Sequence, residues 1–285
     1  VKNYRFRWIF SVILYLYLIL SGFSLVIVGN YHLNVNDISK IENIPKYYLA
    51  RLCECPSLKE KSVKVMLDVY AFENNDNIRD YILSEIKDYC DAKIDPMGNI
   101  IAFKKGKSTP KYKVMLDAHM DEVGFIITHI EDNGMLRFAP VGGISDGMLF
   151  GHRVRLGDRS GVIGGKAMHL CKGDDGKKVP SADTMLIDIG CATADEAKQI
   201  VKVGDTGTFD AGLTYLDNGR FYGKAVDDRI GCMLLLEMAM KQPARDLWLT
   251  FTVQEEVGLR GAGVATEAIR PDYVIAIDAT TAADV

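Results

Sequence analysis

Val114-Met115-Leu116-Asp117-Ala118-His119-Met120-Asp121-Glu122 is the stretch on which the fold turns. Val114 to Leu116 is an apolar strand, and it runs straight into a histidine among acids. Strands buried on both faces by helices make parallel α/β sheets, and in such sheets the carboxyl ends of the strands line the ligand crevice. The same grammar recurs downstream. Leu247 to Val253 alternates apolar and hydroxyl residues as a strand and meets Gln254-Glu255-Glu256, while Tyr273 to Ile277 is an apolar strand that ends in Asp278. Ile230, Leu234 and Met238 recur at helical spacing directly after Asp227-Asp228-Arg229, which predicts a helix capped by an aspartate. Upstream, Ile78, Tyr81, Ile82, Ile86 and Tyr89 predict an amphipathic helix, Asp95 to Asn99 a turn, and Ile100 to Phe103 a short strand.

From about Gly124 to Tyr222 the text changes. Short apolar segments (Phe125 to Ile130, His152 to Leu156, Gly161 to Ala167, Met185 to Ile189) are punctuated by Gly, Asp and Asn, and only Ala194 to Val201 reads as helical. The expected organisation is a discontinuous α/β domain over 62–123 and 224–285, interrupted by a β-rich module over 124–223. The sheet of the α/β domain is expected to be mostly parallel, with helices on both faces.

The 285 residues are 48% hydrophobic and 25% charged, which is a globular composition. A formal charge of −4 offers no case for nucleic acid or an anionic membrane surface as partner. Cys53, Cys55, Cys90, Cys171, Cys191 and Cys232 lack C-x-x-C spacing, so reduced thiols in a cytoplasm are expected rather than disulfides or a zinc knuckle.

Residues 1–61 read differently, and two readings stay open. Trp8 to Val28 carries no charge, is long enough to span a bilayer, and follows Lys2, Arg5 and Arg7, as a membrane anchor with its amino end inside would. Alternatively the segment is translated upstream sequence. It begins with Val, the first methionine is Met66, and the stretch before Ser62 is rich in Ile, Leu, Tyr, Asn and Lys. Amino-terminal sequencing of the natural protein separates the two.

The chemistry lies in what the strands end with. His119, Glu255-Glu256 and Asp278 close three separate strands, and Asp227-Asp228 opens a helix. Several carboxylates in one crevice are costly unless cations neutralise them. One imidazole with several carboxylates suits Zn, Co or Mn, and the acids are too many for one structural ion, which points to two metals sharing a carboxylate. Spacing alone does not separate Asp227 from Asp228 as the shared one. His129 and His152 lie on strand patterns and are expected to be structural.

Four motifs stand in order. Ala118-His119-Met120-Asp121-Glu122-Val123-Gly124, Ala225-Val226-Asp227-Asp228-Arg229-Ile230-Gly231, Gln254-Glu255-Glu256-Val257-Gly258-Leu259-Arg260-Gly261-Ala262 and Ile275-Ala276-Ile277-Asp278 together resemble the glutamyl-aminopeptidase and endoglucanase-M-type two-metal peptidases, the tetrahedral aminopeptidases. The likeness runs from about Ser62 to Val285. It implies metal ligands at His119, Asp227 (bridging), Glu256 and Asp278, with Glu255 as general base and Asp121 orienting the His119 ring through its second nitrogen. It further implies two divalent ions per subunit (Zn or Co), peptide substrates trimmed from a free amino terminus, dimers formed through the inserted module, and a dodecameric shell built from dimers.

Three departures accompany the resemblance, the first being Asn74-Asn75-Asp76-Asn77 in place of the usual serine-glycine-acid turn. Lys166-Ala167-Met168-His169-Leu170 stands where the family has a double proline. The family's fifth ligand, a carboxyl-terminal histidine, has no counterpart before Val285, so the polypeptide ending there is expected to be inactive while a complete parent would be active. A related two-metal carboxypeptidase or deacylase, and a non-catalytic remnant or scaffold, are the competing readings.

Overall fold

The computed structural model describes residues 13–15, 25–28, 31–33, 47–50, 75–108, 111–166, 179–216 and 221–279. The calls on Ser62, on His169 and on most of the Trp8 to Val28 run fall outside them. Among the described residues no helix is long and apolar enough to cross a membrane.

The chain divides into two units, 1–121 with 225–285, and 122–224. In the first unit, β1 (Ile13–Tyr15), β2 (Leu25–Val28) and β3 (Tyr31–Leu33) form a small antiparallel sheet. The main sheet is built from β4 (Tyr47–Ala50), β5 (Asp91–Ile94), β6 (Ile100–Lys104), β7 (Val114–His119), β16 (Leu247–Thr252) and β17 (Tyr273–Ile277), in the order β4-β17-β7-β16-β6-β5. From β4 through β16 neighbouring strands run parallel, whereas β6 and β5 are antiparallel. The sheet is therefore mixed, with the predicted parallel strands at its centre and β5 as an edge strand the sequence reading did not contain.

Register explains why three strand ends matter. Thr252 lies beside His119 and Ala276 beside Asp117, so the carboxyl ends of β7, β16 and β17 emerge at one margin of the sheet. β7 extends through Asp117 to His119 itself, longer than the apolar triplet alone suggested.

Three helices serve this sheet. α1 (Asn75–Ile86) buries Ile78, Ile82 and Ile86 completely, as their spacing of four dictates. It stops before Tyr89, whose carbonyl accepts from Lys104 Nζ (3.0 Å). α3 (Val226–Met240) packs on β7 and is buried nearly all round, from Cys232 to Ala239. α4 (Arg260–Ile269) sets Ala265 and Ile269 against Ile101 and Met115 of the sheet.

The second unit is a closed six-stranded antiparallel barrel. It comprises β8 (Gly124–Ile130), β9 (Leu136–Val141), β10 (Arg153–Leu156), β11 (Arg159–Gly164), β12 (Leu186–Asp188) and β13 (Thr206–Phe209), in the order β10-β11-β12-β9-β8-β13. The hairpin β14 (Thr214–Tyr215) and β15 (Phe221–Tyr222) and the short helix α2 (Ala194–Lys198) complete it. Alternate residues fill the interior, among them Phe125, Ile127, Leu136, Phe138, Val154 and Leu156. Phe125 meets Phe138 and Phe209 edge to face at 5.9 and 6.1 Å. Gly207 must be glycine, because a Cβ there would stand 2.3 Å from the Phe125 ring. The two ends of the unit are tied together: Lys224 Nζ donates to Glu122 Oε1 (2.7 Å), and Thr208 Oγ1 donates to Glu122 Oε2 (3.0 Å).

Candidate metal centre

His119 is the centre of the site. It ends β7 at 4% exposure, and its Nδ1 lies 2.9 Å from the backbone carbonyl oxygen of Asp121, against 3.6 Å from that residue's carboxylate. The nearest group orienting the ring is thus the main chain of Asp121, not the carboxylate expected from the motif. The carboxylate instead accepts the backbone N–H groups of Glu255 (3.1 Å) and Glu256 (3.2 Å). Asp121 therefore couples the β7 terminus to the loop after β16.

The other ring nitrogen, Nε2, faces three acids: Asp227 Oδ1 at 3.0 Å, Asp278 Oδ1 at 3.8 Å and Glu255 Oε2 at 3.9 Å. Within each of two groups the potential donor atoms lie within 4.8 Å of one another: His119 with Asp227 and Asp278, and His119 with Glu255 and Glu256. All six residues singled out in the sequence thus come together: His119, Asp121, Asp227, Glu255, Glu256 and Asp278. His129 and His152 belong to the barrel instead and are exposed, with His152 edge-on to Phe209 at 5.8 Å.

Asp228 has a different place from Asp227. It is fully buried, and its Oδ1 accepts the N–H of Gly231 three residues on (3.1 Å), the bond of a helix N-cap. Asp227 and Asp228 both keep non-helical backbone angles, so the regular helix starts after them. This arrangement leaves Asp227 at the mouth of the site, on the acid side of His119.

The sequence reading missed one acid below the site. Asp117, 7% exposed, accepts hydrogen bonds from Thr250 Oγ1 and from Thr252 Oγ1, the latter at 3.3 Å, tying β7 to β16. Its signal was legible: a carboxylate inside an otherwise apolar strand must have partners, and the hydroxyls of Leu247 to Val253 are the facing ones.

The electrostatics are those of several acids crowded around one imidazole. Burial, with Asp227 nearby, pushes Asp278 up to about 6. Burial and the neighbouring Asp227 and Glu255 raise Glu256 to about 7, against the pull of His119. Asp117 is raised by burial to about 6 despite its threonine bonds. Burial lowers His119, but its bonds to Asp121 and Asp227 outweigh that and lift it to about 11. Burial would raise Asp121 as well, yet His119 and the N–H groups of Glu255 and Glu256 hold it below the usual carboxylate range.

Two observations fit a metal here. A borderline imidazole with hard carboxylates is the donor chemistry of divalent zinc, cobalt or manganese. Asp278 Oδ1 is buried and has no hydrogen-bond partner among the described residues, a costly condition that a cation removes.

A pH dependence follows for metal-stripped protein. The folded values of Asp117, Asp278 and Glu256 lie above the unfolded carboxylate range of about 4, so their contribution to stability is present at low pH and lost as pH rises through about 6–7. His119 is raised too, so its contribution is complete below about 6.5 and lost as pH climbs toward about 11. Both act in one direction. In the presence of chelator the melting temperature is expected to be higher at pH 5.5 than at pH 8.5, and a higher value at pH 8.5 would refute this.

Fold and side chains together define an α/β protein with a histidine–carboxylate centre able to hold metal. The family model for the M42 glutamyl aminopeptidases matches residues 98–285, and the chain belongs to that family. It is 40% identical over 214 residues to a putative aminopeptidase of Acetivibrio thermocellus, covering 74% of this chain and 62% of that protein. It is 39% identical over 215 residues to the lysyl aminopeptidase of Pyrococcus furiosus, covering 72% and 61%. The chain thus spans about three-fifths of the length of these relatives. Among solved structures, the Pyrococcus horikoshii TET1 peptidase, described as assembling into a tetrahedron or a large octahedral shell, superposes with a TM-score of 0.68 at 33% identity, covering 79% of this chain and 72% of that one.

Proposed function

We propose that the protein is a metal-dependent aminopeptidase that removes residues from the free amino termini of peptides. The observation that carries this is the buried His119 whose Nε2 faces Asp227, Asp278 and Glu255 within 4 Å. In this reading His119, Asp227, Glu256 and Asp278 would hold two divalent ions, Zn or Co. When bound, such ions supply Lewis acidity and lower the pKa of water from about 16 to about 7.

The remaining work belongs to the chain. Glu255, whose carboxylate reaches to 3.9 Å from His119 Nε2, takes the proton of the attacking water and returns it to the leaving amine. The main chain of Asp121 keeps the proton of His119 on Nδ1, so that Nε2 presents its lone pair. The surplus of carboxylates around the site complements a substrate ammonium, which favours exopeptidase action at the amino end over internal cleavage.

The barrel of 122–224 would carry dimer contacts, and dimers would build a shell such as that described for the P. horikoshii protein. The location proposed is cytoplasmic. The name of the family and that of the P. furiosus relative cite different residues, glutamyl and lysyl, so side-chain preference is a matter for substrate panels.

The test is a matched peptide series with free and acetylated amino termini, offered to the purified gene product after chelation and after reloading with Zn or Co. Cleavage of the free series alone, and only after reloading, is expected. Release of carboxyl-terminal residues, or removal of the acetyl group, would replace this reading with a carboxypeptidase or a deacylase.

A further inference from the structure

The loop Gln254 to Arg260 carries Glu255 and Glu256, and its backbone is under tension. Gln254 and Leu259 have positive φ (59° and 57°) without being glycine, and Gly258 has φ 115°. Such a loop keeps its shape only if its surroundings over-determine it. One support is Asp121, which accepts the N–H groups of Glu255 and Glu256.

The other support is Asn99, in the turn before β6. Its side chain is wholly buried. Oδ1 accepts the N–H of Val253 (3.0 Å), the residue before the loop, and Nδ2 donates to the carbonyl of Gly261 (3.0 Å), the residue after it. The orientation is unambiguous, because Val253 N–H only donates and the Gly261 carbonyl only accepts. Val253 and Gly261 are also bonded directly, from Gly261 N to Val253 O at 3.0 Å. The carboxamide therefore presents a donor and an acceptor as a neighbouring strand's peptide group would, and closes the neck of the loop.

Asn99 is itself held. Nδ2 also donates to Asp95 Oδ2 (2.7 Å), while Asp95 Oδ1 accepts the N–H groups of Met97, Gly98 and Asn99. Space at the neck is exhausted: a Cβ on Gly261 would stand 2.1 Å from Val253 O and 2.5 Å from Asn99 Oδ1.

We infer that Asn99 is a positioning residue, which fixes through the backbone of Val253 and Gly261 where Glu255 and Glu256 present their carboxylates. This rests on the roles proposed above for those two acids. Asn99 touches neither of them, so its effect is on placement, and a displacement of about 1 Å at a reacting group can cost about 10²-fold in rate.

The experiment compares Asn99→Ala and Asn99→Asp with Ile269→Ala, a control buried in the α4 packing at the helix end opposite the loop. Thermal melting, amide hydrogen exchange over 254–260, bound Co(II) per chain, kcat and KM are measured on the purified gene product. Asn99→Ala is expected to lower kcat about 10²-fold with little change in KM, and to speed exchange across the loop. Asn99→Asp keeps the shape but turns an acceptor toward Gly261 O and Asp95, and is expected to lose as much or more. Ile269→Ala should melt earlier yet keep kcat and slow loop exchange.

Unchanged exchange and kcat in Asn99→Ala would overturn the inference, as would an equal kcat loss in Ile269→Ala. If Asn99→Ala does not fold, Asp95→Asn, which keeps an oxygen for the N–H groups of the turn but turns an amide donor toward Nδ2, carries the same readouts with a smaller expected effect. If the unsubstituted protein cleaves no peptide, the peptidase proposal fails, and loop exchange and Co(II) stoichiometry still decide the role of Asn99.

Discussion

Replacing Glu255 by glutamine is expected to lower kcat by about 10²–10⁴-fold, the range associated with a positioned general base, while leaving metal content and melting temperature close to those of the parent. The expectation separates two carboxylates that are adjacent in sequence. Both belong to the group around His119 that could hold an ion, and the loop backbone of both is held by Asp121. Glutamine keeps the size and reach of Glu255 but cannot take a proton at neutral pH. A base would therefore fail in turnover with its ions in place, whereas a ligand would fail first in metal retention. Measuring Co(II) per chain beside kcat decides between them. Loss of an ion equivalent in Glu255→Gln would move Glu255 into the ligand set and leave the base unassigned.

The second large effect is expected at His119. It appears in both potential donor groups, so His119→Ala removes the one imidazole common to them. A bound metal's Lewis acidity is worth several kcal/mol, a factor on the order of 10³ or more in rate. Activity should drop by at least that much, to the level of chelator-treated protein, with loss of bound metal. His129→Ala and His152→Ala change exposed barrel residues and should leave turnover unaltered. Retention of full metal content and turnover by His119→Ala would remove the centre from its proposed place. Metal analysis with the same peptide assay gives the answer.

The legible part of the site was what local pattern dictates. Apolar strands ending in His119, Glu255-Glu256 and Asp278 could be read because a strand buried on both faces must be apolar until the crevice. A group of acids beside one histidine is also intolerable without cations, so the chemistry followed from residue types alone. The helix after Asp227-Asp228 was legible from spacing, and the β-rich character of the inserted module from short strands with turn residues between them, whereas its closure into a barrel was not. The edge strand β5 was not, since Asp91 to Ile94 has little apolar content and joins the sheet only because β6 offers it an edge.

What the sequence by itself determined, then, was a set of side chains and the sheet margin at which they gather. Tertiary structure decided which atoms of those side chains face one another. Asp228 caps the regular part of the helix while Asp227 turns to His119, because the backbone at these positions departs from helical angles within the first turn of α3. His119 Nδ1 lies nearest the main chain of Asp121 because that residue's carboxylate is taken by the N–H groups of Glu255 and Glu256. Asn99 meets the loop from 154 residues away. The last two depend on the register of β16 against its neighbours β7 and β6, long-range pairings both. Local sequence encodes the residues that can make such a pairing, and only the closed sheet fixes which of them meet.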